Sequence, residues 1–161
     1  MAWTIAPMRL EDADEAGAVH TKVWQEAYAG LMPDDYLAAL DPAQAADRRR
    51  DRLAAPRPGV AEWVARDDLG IVGMAASGPP RDEDPPVDFE LYAINVLRRA
   101  HGTGLADDLM AHAVGDHAAY LWVLDGNERA IRFYERQGFR RDGTRDEHDE
   151  GLHVRMVRAG T

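Results

Sequence analysis

Apolar positions change their period several times along the chain, and each change marks an element. Residues 4–8 form a short apolar stretch and predict a first strand. Across residues 10–28 the spacing becomes helical: Val19, Val23 and Ala27 recur every four residues. They follow the acidic cluster Glu11, Asp12, Asp14 and Glu15, which suits the positive end of a helix. Gly30 ends this segment. Pro33 opens a second helix through Tyr36, Leu37 and Leu40, and Pro42 a third reaching Leu53. Pro56, Pro58 and Gly59 then break the helical pattern. Residues 61–65 and 70–77 read as a strand pair turning at Asp67 and Asp68, and the prolines of 78–86 exclude that segment from any ladder. Residues 88–96 predict a long alternating strand. Beyond it, Leu105, Leu109, Met110, Ala113 and Val114 share a helix face, 120–124 is a compact apolar strand, and 128–136 is a helix. Residues 139–141 and 152–158 make a closing strand pair. Helices, an antiparallel meander and then β-α-β-α-β predict one α/β domain over residues 1–161, built on a mixed sheet.

Composition narrows what such a domain does. With 161 residues, 45% of them hydrophobic, the chain can bury one sizeable core. No apolar run approaches the roughly eighteen residues that span a bilayer, and the opening segment lacks the basic-then-apolar order of a secretion signal. A cytoplasmic protein with no membrane partner is therefore expected. The absence of cysteine removes disulfides, thiolate catalysis and cysteine zinc sites, and His112 and His117 fall on different helix faces, so no metal is expected. A formal net charge of −10 argues against nucleic acid as a partner and suits a cationic acceptor, or simple solubility. Among the 19 basic residues only Lys22 is lysine. The run 47–52, DRRRDR, interleaves acids with arginines and reads as a solvated helix face.

The chemistry concentrates in two segments. Residues 95–106 carry a strand into a turn containing Gly102, Thr103 and Gly104 and then into a helix, a geometry that aims backbone N–H groups at an anion. A dinucleotide fingerprint would need glycine or alanine where Asp107 stands, and a Walker loop would need a following Lys-Ser/Thr, so both common nucleotide readings fail. Asp107 and Asp108 suit the helix dipole but not a neighbouring phosphate, and are expected to face away. Arg98 and Arg99, just before the turn, are placed to offset them. The second segment is NERAIRFYERQGF, residues 127–139.

Together these segments resemble the GCN5-related N-acetyltransferase (GNAT) superfamily. The family's Gln/Arg-x-x-Gly-x-Gly/Ala motif falls on His101-Gly102-Thr103-Gly104-Leu105-Ala106, with histidine at its first position. A second register, Arg99-x-x-Gly102-x-Gly104, also satisfies it; the first places Val96 five residues ahead of His101, as in family members. Asn127, Ala130, Tyr134, Gly138 and Phe139 match the downstream N-x-x-A-x-x-x-Y-x-x-x-G-F pattern in full. Trp24, Ala27, Tyr28, Gly30 and Pro33 are similar to a stretch in microbial members that acetylate small molecules or proteins. The resemblance implies a mixed, mostly antiparallel sheet of six or seven strands flanked by four or five helices, splayed between the strands at 88–96 and 120–124. It implies an acetyl-CoA-dependent N-acetyltransferase, without metal, in which an amine-bearing acceptor attacks directly in a ternary complex. The alternative is a catalytically silent acyl-CoA-binding sensor with the same fold, and a homodimer is compatible with either.

By the same resemblance, the backbone at Ile94, Asn95 and Val96 holds the pantetheine arm, and residues from His101 to Ala106 hold the pyrophosphate. Asn127 contacts the cofactor, and Tyr134 sits near its sulfur as general acid. Arg129 and Arg132 are candidate phosphate partners, or merely solvated. A lysine-like amine, with a pKa near ~10.4, is neutral in only about one part in a thousand at pH 7.4, so a base helps. By the period of two, Asp88 and Glu90 share a strand face with Tyr92, Ile94 and Val96. Glu90 is the preferred base and Asp88 the alternate, the competing reading being a carboxylate that only orients a neighbour. Trp24, Tyr28 and Tyr36 are candidates for the acceptor wall or for the core, and the loop 78–86 with Arg81 is another candidate wall.

Overall fold

The computed structural model describes residues 2–160. Seven strands form one sheet: β1 (Thr4–Pro7), β2 (Ala61–Asp67), β3 (Gly70–Gly78), β4 (Glu90–Val96), β5 (Ala119–Leu124), β6 (Arg140–His148) and β7 (Gly151–Arg158). Their order is β1-β2-β3-β4-β5-β7-β6, antiparallel except where β4 meets β5. Five helices flank it: α1 (Ala13–Tyr28), α2 (Asp34–Ala38), α3 (Pro42–Ala54), α4 (Leu105–Ala113) and α5 (Glu128–Arg136). The mixed sheet and its helical cover agree with the expected architecture.

Two strand predictions are corrected. The fourth strand begins at Glu90 rather than Asp88, which lies in a bend. The sixth extends to His148, far beyond residue 141. Its RRDGTRDEH sequence is almost wholly exposed and lacks the apolar alternation that would reveal a strand; pairing with β7 supplies its order. In the N-terminal half, residues 10–12 form a 3-10 turn ahead of α1. Asp12 accepts from the Arg9 amide at 2.8 Å and pairs with Arg66, tying the helix start to β2.

The core lies on both faces of the sheet. On one face α4 packs against β3: Leu105 and Leu109 sit over Gly73, and the Ser77 hydroxyl donates to the Ala113 carbonyl at 2.7 Å. On the other face α1 and α3 run together over β2, β3 and β4. Glycine makes that helix pair possible, because a Cβ at Gly17 would lie 2.6 Å from the Ala46 amide nitrogen and 2.7 Å from the Pro42 carbonyl oxygen. Glu15, two residues before it, accepts from the Ile71 amide at 2.7 Å and anchors α1 to β3.

Gly17→Ala tests this packing by its sign. In an open helix position the change stabilises by up to about 1 kcal/mol. Here the methyl meets backbone, and overpacking will destabilise the fold by on the order of 1–3 kcal/mol. A urea unfolding midpoint at or above that of the wild type would contradict the close approach of α1 and α3.

Candidate active site

β4 and β5 touch only at one end. Their register contains the single pair Glu90 and Tyr120, and the Tyr120 amide donates to the Phe89 carbonyl at 3.0 Å. Beyond that point the strands part. The cause is local: opposite Ala76 and Ser77 the partners step from Ala93 to Leu91, so Tyr92 is an extra residue. A bulge of this kind bends its strand and adds twist, here carrying β4 away from β5. On its other side β4 stays paired with β3, and the Leu97 amide donates to the Val72 carbonyl at 3.0 Å. Antiparallel alternation from that bond assigns the backbone groups of Asn95 to β3 and turns those of Ile94 and Val96 into the splay. The Ile94 backbone groups and the Val96 amide therefore face the splay, whereas Asn95 itself is committed to β3.

The glycine turn lies at the end of the splayed strand. Gly102 and Gly104 have φ of 74° and 92°, and a Cβ at either would meet nothing within 4 Å. Their absent side chains therefore serve the left-handed backbone and leave the approach open. Among the described residues, no protein group accepts from the amides of Gly102, Gly104, Ala106 or Asp107, the unsatisfied donors of a helix start. Thr103 turns its hydroxyl inward to the Ala100 carbonyl at 2.6 Å, and Leu105 is fully buried. Asp107 accepts from Gln137 at 2.7 Å and Asp108 from Trp3 at 2.8 Å, so both carboxylates are drawn to neighbours. Arg98 and Arg99 do not offset them, which corrects the sequence reading. Arg98 is bound to Glu26 through its amide at 3.1 Å and its guanidinium at 3.0 Å, and Arg99 pairs with Asp67. His101 instead reaches back, its Nε2 3.2 Å from the Val96 carbonyl. That carbonyl can only accept, so Nε2 carries the proton there. Burial, followed by the charge of Arg129, lowers the His101 pKa and places Arg129 beside the turn.

α5 brings the second motif to the same region. Asn127 caps it, accepting from the Ala130 amide at 3.4 Å. Tyr134 is 8% exposed and packs edge-on against Phe133 and Phe139. No hydrogen bond among the described residues engages its hydroxyl. Burial, then the neighbouring Tyr28, pushes its pKa up, so the phenol keeps its proton. Trp24, Tyr28 and Tyr36 are all half-buried and gather around Met32, Leu37 and Leu124. Burial raises the Tyr28 pKa despite a hydrogen bond with Asn127, which places the acceptor-wall candidate Tyr28 beside α5. Burial and then Glu150 raise that of Tyr36, placing the β6–β7 hairpin at this rim. Glu150 escaped sequence reasoning because no apolar pattern marks its hairpin.

The candidate bases lie elsewhere. The bulge at Tyr92 inverts the alternation, so Glu90 does not share the face of Ile94 and Val96, and Asp88 precedes the strand. Glu90 is 1% exposed and its carboxylate is fully engaged. It accepts from the Arg81 amide at 2.9 Å and from the Arg81 guanidinium at 2.8 Å and 3.3 Å, and lies 3.2 Å from the Tyr120 hydroxyl, whose one proton it shares with Asp82. Asp82 joins the same junction, accepting from Tyr120 at 2.7 Å and Trp122 at 2.9 Å. The loop bearing Arg81 is thereby fixed across the closed end of the splay.

Beneath α3, on the α1 face of the sheet, is a cavity of about 650 Å³. β4 forms part of its wall through Ala93 and Asn95, and Arg48, Arg49, Arg52, Arg57 and Arg81 line it with a single carboxylate, Glu62. The run 47–52 is thus not simply a solvated face: Arg49 is only 8% exposed. Arg48, Arg49 and Arg52, at i, i+1 and i+4, share one helix side, a spacing the sequence does display. Arg49 Nη2 lies 3.3 Å from His20 Nδ1, which must accept and is therefore unprotonated. Burial, reinforced by Arg49, Arg48 and Arg52, lowers the His20 pKa from 6.5 to about 4. His20, Trp24 and Tyr28 then form a ladder along α1, with successive ring centroids 5.0 and 5.2 Å apart.

A sheet opened between two parallel strands, with unpartnered amides where the first of them turns into a helix, is the architecture that the comparisons with known proteins identify. Residues 58–141 match the family model described as an acetyltransferase (GNAT) domain. An uncharacterised N-acetyltransferase of Bacillus subtilis is 30% identical across 98% of this chain and 90% of its own length. One from Mycobacterium tuberculosis is 32% identical across 84% and 88%. The chain belongs to the GNAT family and is an acetyltransferase. Among solved structures, the PaiA N-acetyltransferase of Thermoplasma acidophilum, crystallised with coenzyme A, superposes with a TM-score of 0.77 at 15% identity, covering all of both chains. A Corynebacterium glutamicum acetyltransferase gives 0.72 at 22%, covering 100% of this chain and 98% of its own. At these identities the likeness shows the fold. Among the described residues no cluster of three or more potential ligands is placed to hold a metal ion, and no helix is long and apolar enough to cross a membrane.

The cavity has a pH signature. Because the folded-state pKa of His20 lies below its unfolded value, the unfolded chain takes the proton first as pH falls. The corresponding stability is intact above about pH 6.5 and is lost toward pH 4, by roughly 2–3 kcal/mol. His20→Gln will flatten that part of the stability profile in urea titrations between pH 7 and 4. A variant profile parallel to the wild type would contradict the depressed imidazole.

Proposed function

We propose that the protein moves an acetyl group from acetyl-CoA to a primary amine by direct attack within a ternary complex. The observation that carries this reading is the continuity of the splay and the cradle. The Ile94 and Val96 backbone opens into the one, and the unpartnered amides of Gly102, Gly104, Ala106 and Asp107 open into the other. These residues fit an extended thiol arm ending in a diphosphate: strand-like backbone groups suit the arm's amides, and a Cβ-free cradle suits phosphate oxygens. Arg129 beside the turn adds an exposed cation. When bound, acetyl-CoA supplies an activated acetyl thioester with a thiol leaving group. The CoA complex of the Thermoplasma relative, of the same fold, supports this reading.

The chain's own contribution is position and two hydrogen-bond donors. The Val96 amide, directed into the splay, donates to the carbonyl oxygen as negative charge develops there. The Tyr134 hydroxyl donates to the leaving sulfur. Even the ordinary phenol, at ~10 against ~8.5 for a thiol, makes complete proton transfer uphill by roughly 2 kcal/mol. Burial of Tyr134 steepens that slope. Its role is thus a hydrogen bond that strengthens as the thiolate forms. Glu90 holds the closed end of the splay instead of removing the amine proton, since both its oxygens are already taken by Arg81 and Tyr120. Holding the neutral amine against the thioester supplies much of the acceleration.

A thiol-release assay with acetyl-CoA and a panel of amines, amino acids, polyamines and peptides tests the activity. Acceptor-dependent release is expected; tight acetyl-CoA binding with no release to any acceptor would assign the fold to a silent sensor. Tyr134→Phe is expected to lower kcat by roughly 10²-fold with little change in acetyl-CoA affinity by calorimetry. Unchanged turnover would remove the tyrosine from the mechanism.

A further inference from the structure

The cavity beneath α3 has a charge arrangement that nothing in the donor site uses. In a chain of net charge −10, five arginines converge on it. Two are matched to carboxylates: Arg52 to Glu62 at 3.1 Å and Arg81 to Glu90 at 2.8 Å. The other three meet only neutral groups. Arg48 donates to Gln44 at 2.7 Å, Arg57 to the Tyr92 hydroxyl at 3.3 Å, and Arg49 to His20 at 3.3 Å. Arg49 is the decisive one. It is 8% exposed, its Nε has no hydrogen-bond partner, and no carboxylate forms an ion pair with it among the described residues. Glu62 acts on it through space but is bonded to Arg52. A buried guanidinium without a bonded carboxylate is costly, and an anion entering the cavity would relieve that cost.

The wall of this cavity adjoins the transfer site. Ala93 and Asn95 of β4 face it, on the strand whose Ile94 and Val96 backbone opens into the splay. The cavity and the donor groove are thus separated by about one strand spacing of ~5 Å. The ladder His20, Trp24, Tyr28 leads from Arg49 toward Asn127 and Tyr134. At the far end of that ladder, outside the cavity lining, Glu150 acts on both Tyr28 and Tyr36.

We propose that this cavity is the acceptor site, and that the acceptor is a small amine carrying an acid group, carboxylate or phosphonate, whose oxygens pair with the Arg49 guanidinium. The assignment rests on the acetyl-transfer reading and adds the substrate class to it. Planar guanidinium nitrogens match the oxygens of either acid, and Arg48 and Arg57 at the exposed mouth draw the anion in. The neutral imidazole of His20 keeps Arg49 in place without cancelling its charge. The amine end then lies toward β4 and the splay.

The experiment compares β-alanine, γ-aminobutyrate, glutamate and aminoethylphosphonate, each beside its uncharged amide or ester, in the thiol-release assay. At least one acid is expected to exceed its uncharged counterpart in kcat/KM by about 10–100-fold, the range of a charge-assisted hydrogen bond. Arg49→Gln should remove that preference through KM, and Arg49→Lys should restore part of it. Calorimetry with succinate, an acid without an amine, gives a readout that needs no turnover: binding to the wild type, lost in Arg49→Gln. Acetyl-CoA affinity, measured in parallel, reports that each variant is folded and tests the donor site separately. If Arg49→Gln does not fold, the wild-type comparison of acids with esters and the succinate titration still decide. Acids no better than their neutral forms, or an acid preference that survives Arg49→Gln, would overturn the proposal while leaving acetyl transfer standing. Failure to bind acetyl-CoA would overturn the transfer reading, and this assignment with it.

Discussion

The site depends on one buried carboxylate. Glu90, 1% exposed, sits at the centre of the sheet with Arg81 and Tyr120 around its oxygens; removing either partner would leave a buried carboxyl group unpaired. That junction joins three segments: the start of β4, the start of β5 and the proline-rich loop between β3 and β4. It fixes the strands together at one end, and the bulge at Tyr92 then parts them at the other. Two strands held at one end and bent at the next residues make a V, and the V presents free backbone without the expense of an exposed sheet edge.

The remaining features follow from where that opening points. β4 hands its Ile94 and Val96 groups to the splay and its Ala93 and Asn95 side chains to the cavity, so a single strand borders both substrates. The turn after β4 uses two positive-φ glycines to start α4 with its amides uncovered. α5 then delivers Tyr134, held protonated by burial, to the same region. Electrostatics divide the molecule in the same way. The chain carries an acidic excess, while α3 turns Arg49 inward beside His20, whose pKa burial and the neighbouring arginines depress to about 4.

Much of this was legible in the sequence where pattern and chemistry coincide. α5 occupies 128–136 as its cap and motif predict, and the glycine turn adopts the strand-to-helix geometry its residues require. The family follows from the spacing of Asn127, Tyr134 and Phe139 after that turn. Errors arose where tertiary contacts override local pattern. A bulge leaves no mark in residues 88–96, so period-two counting put Glu90 on the wrong face. Arg98 and Arg99 looked free because Glu26 and Asp67 lie 72 and 32 residues away. The arginines of α3 resembled a solvated face because charge runs usually are one, and only the fold reveals that Arg49 is enclosed.

Amide hydrogen exchange with and without saturating acetyl-CoA tests the central claim most directly. The account predicts new protection at Ile94 and Val96 in the splay and at Gly102, Gly104 and Ala106 in the cradle, while Asn95, already bonded within the sheet, changes little. Saturation without protection at these amides, or protection confined to another face of the sheet, would contradict it.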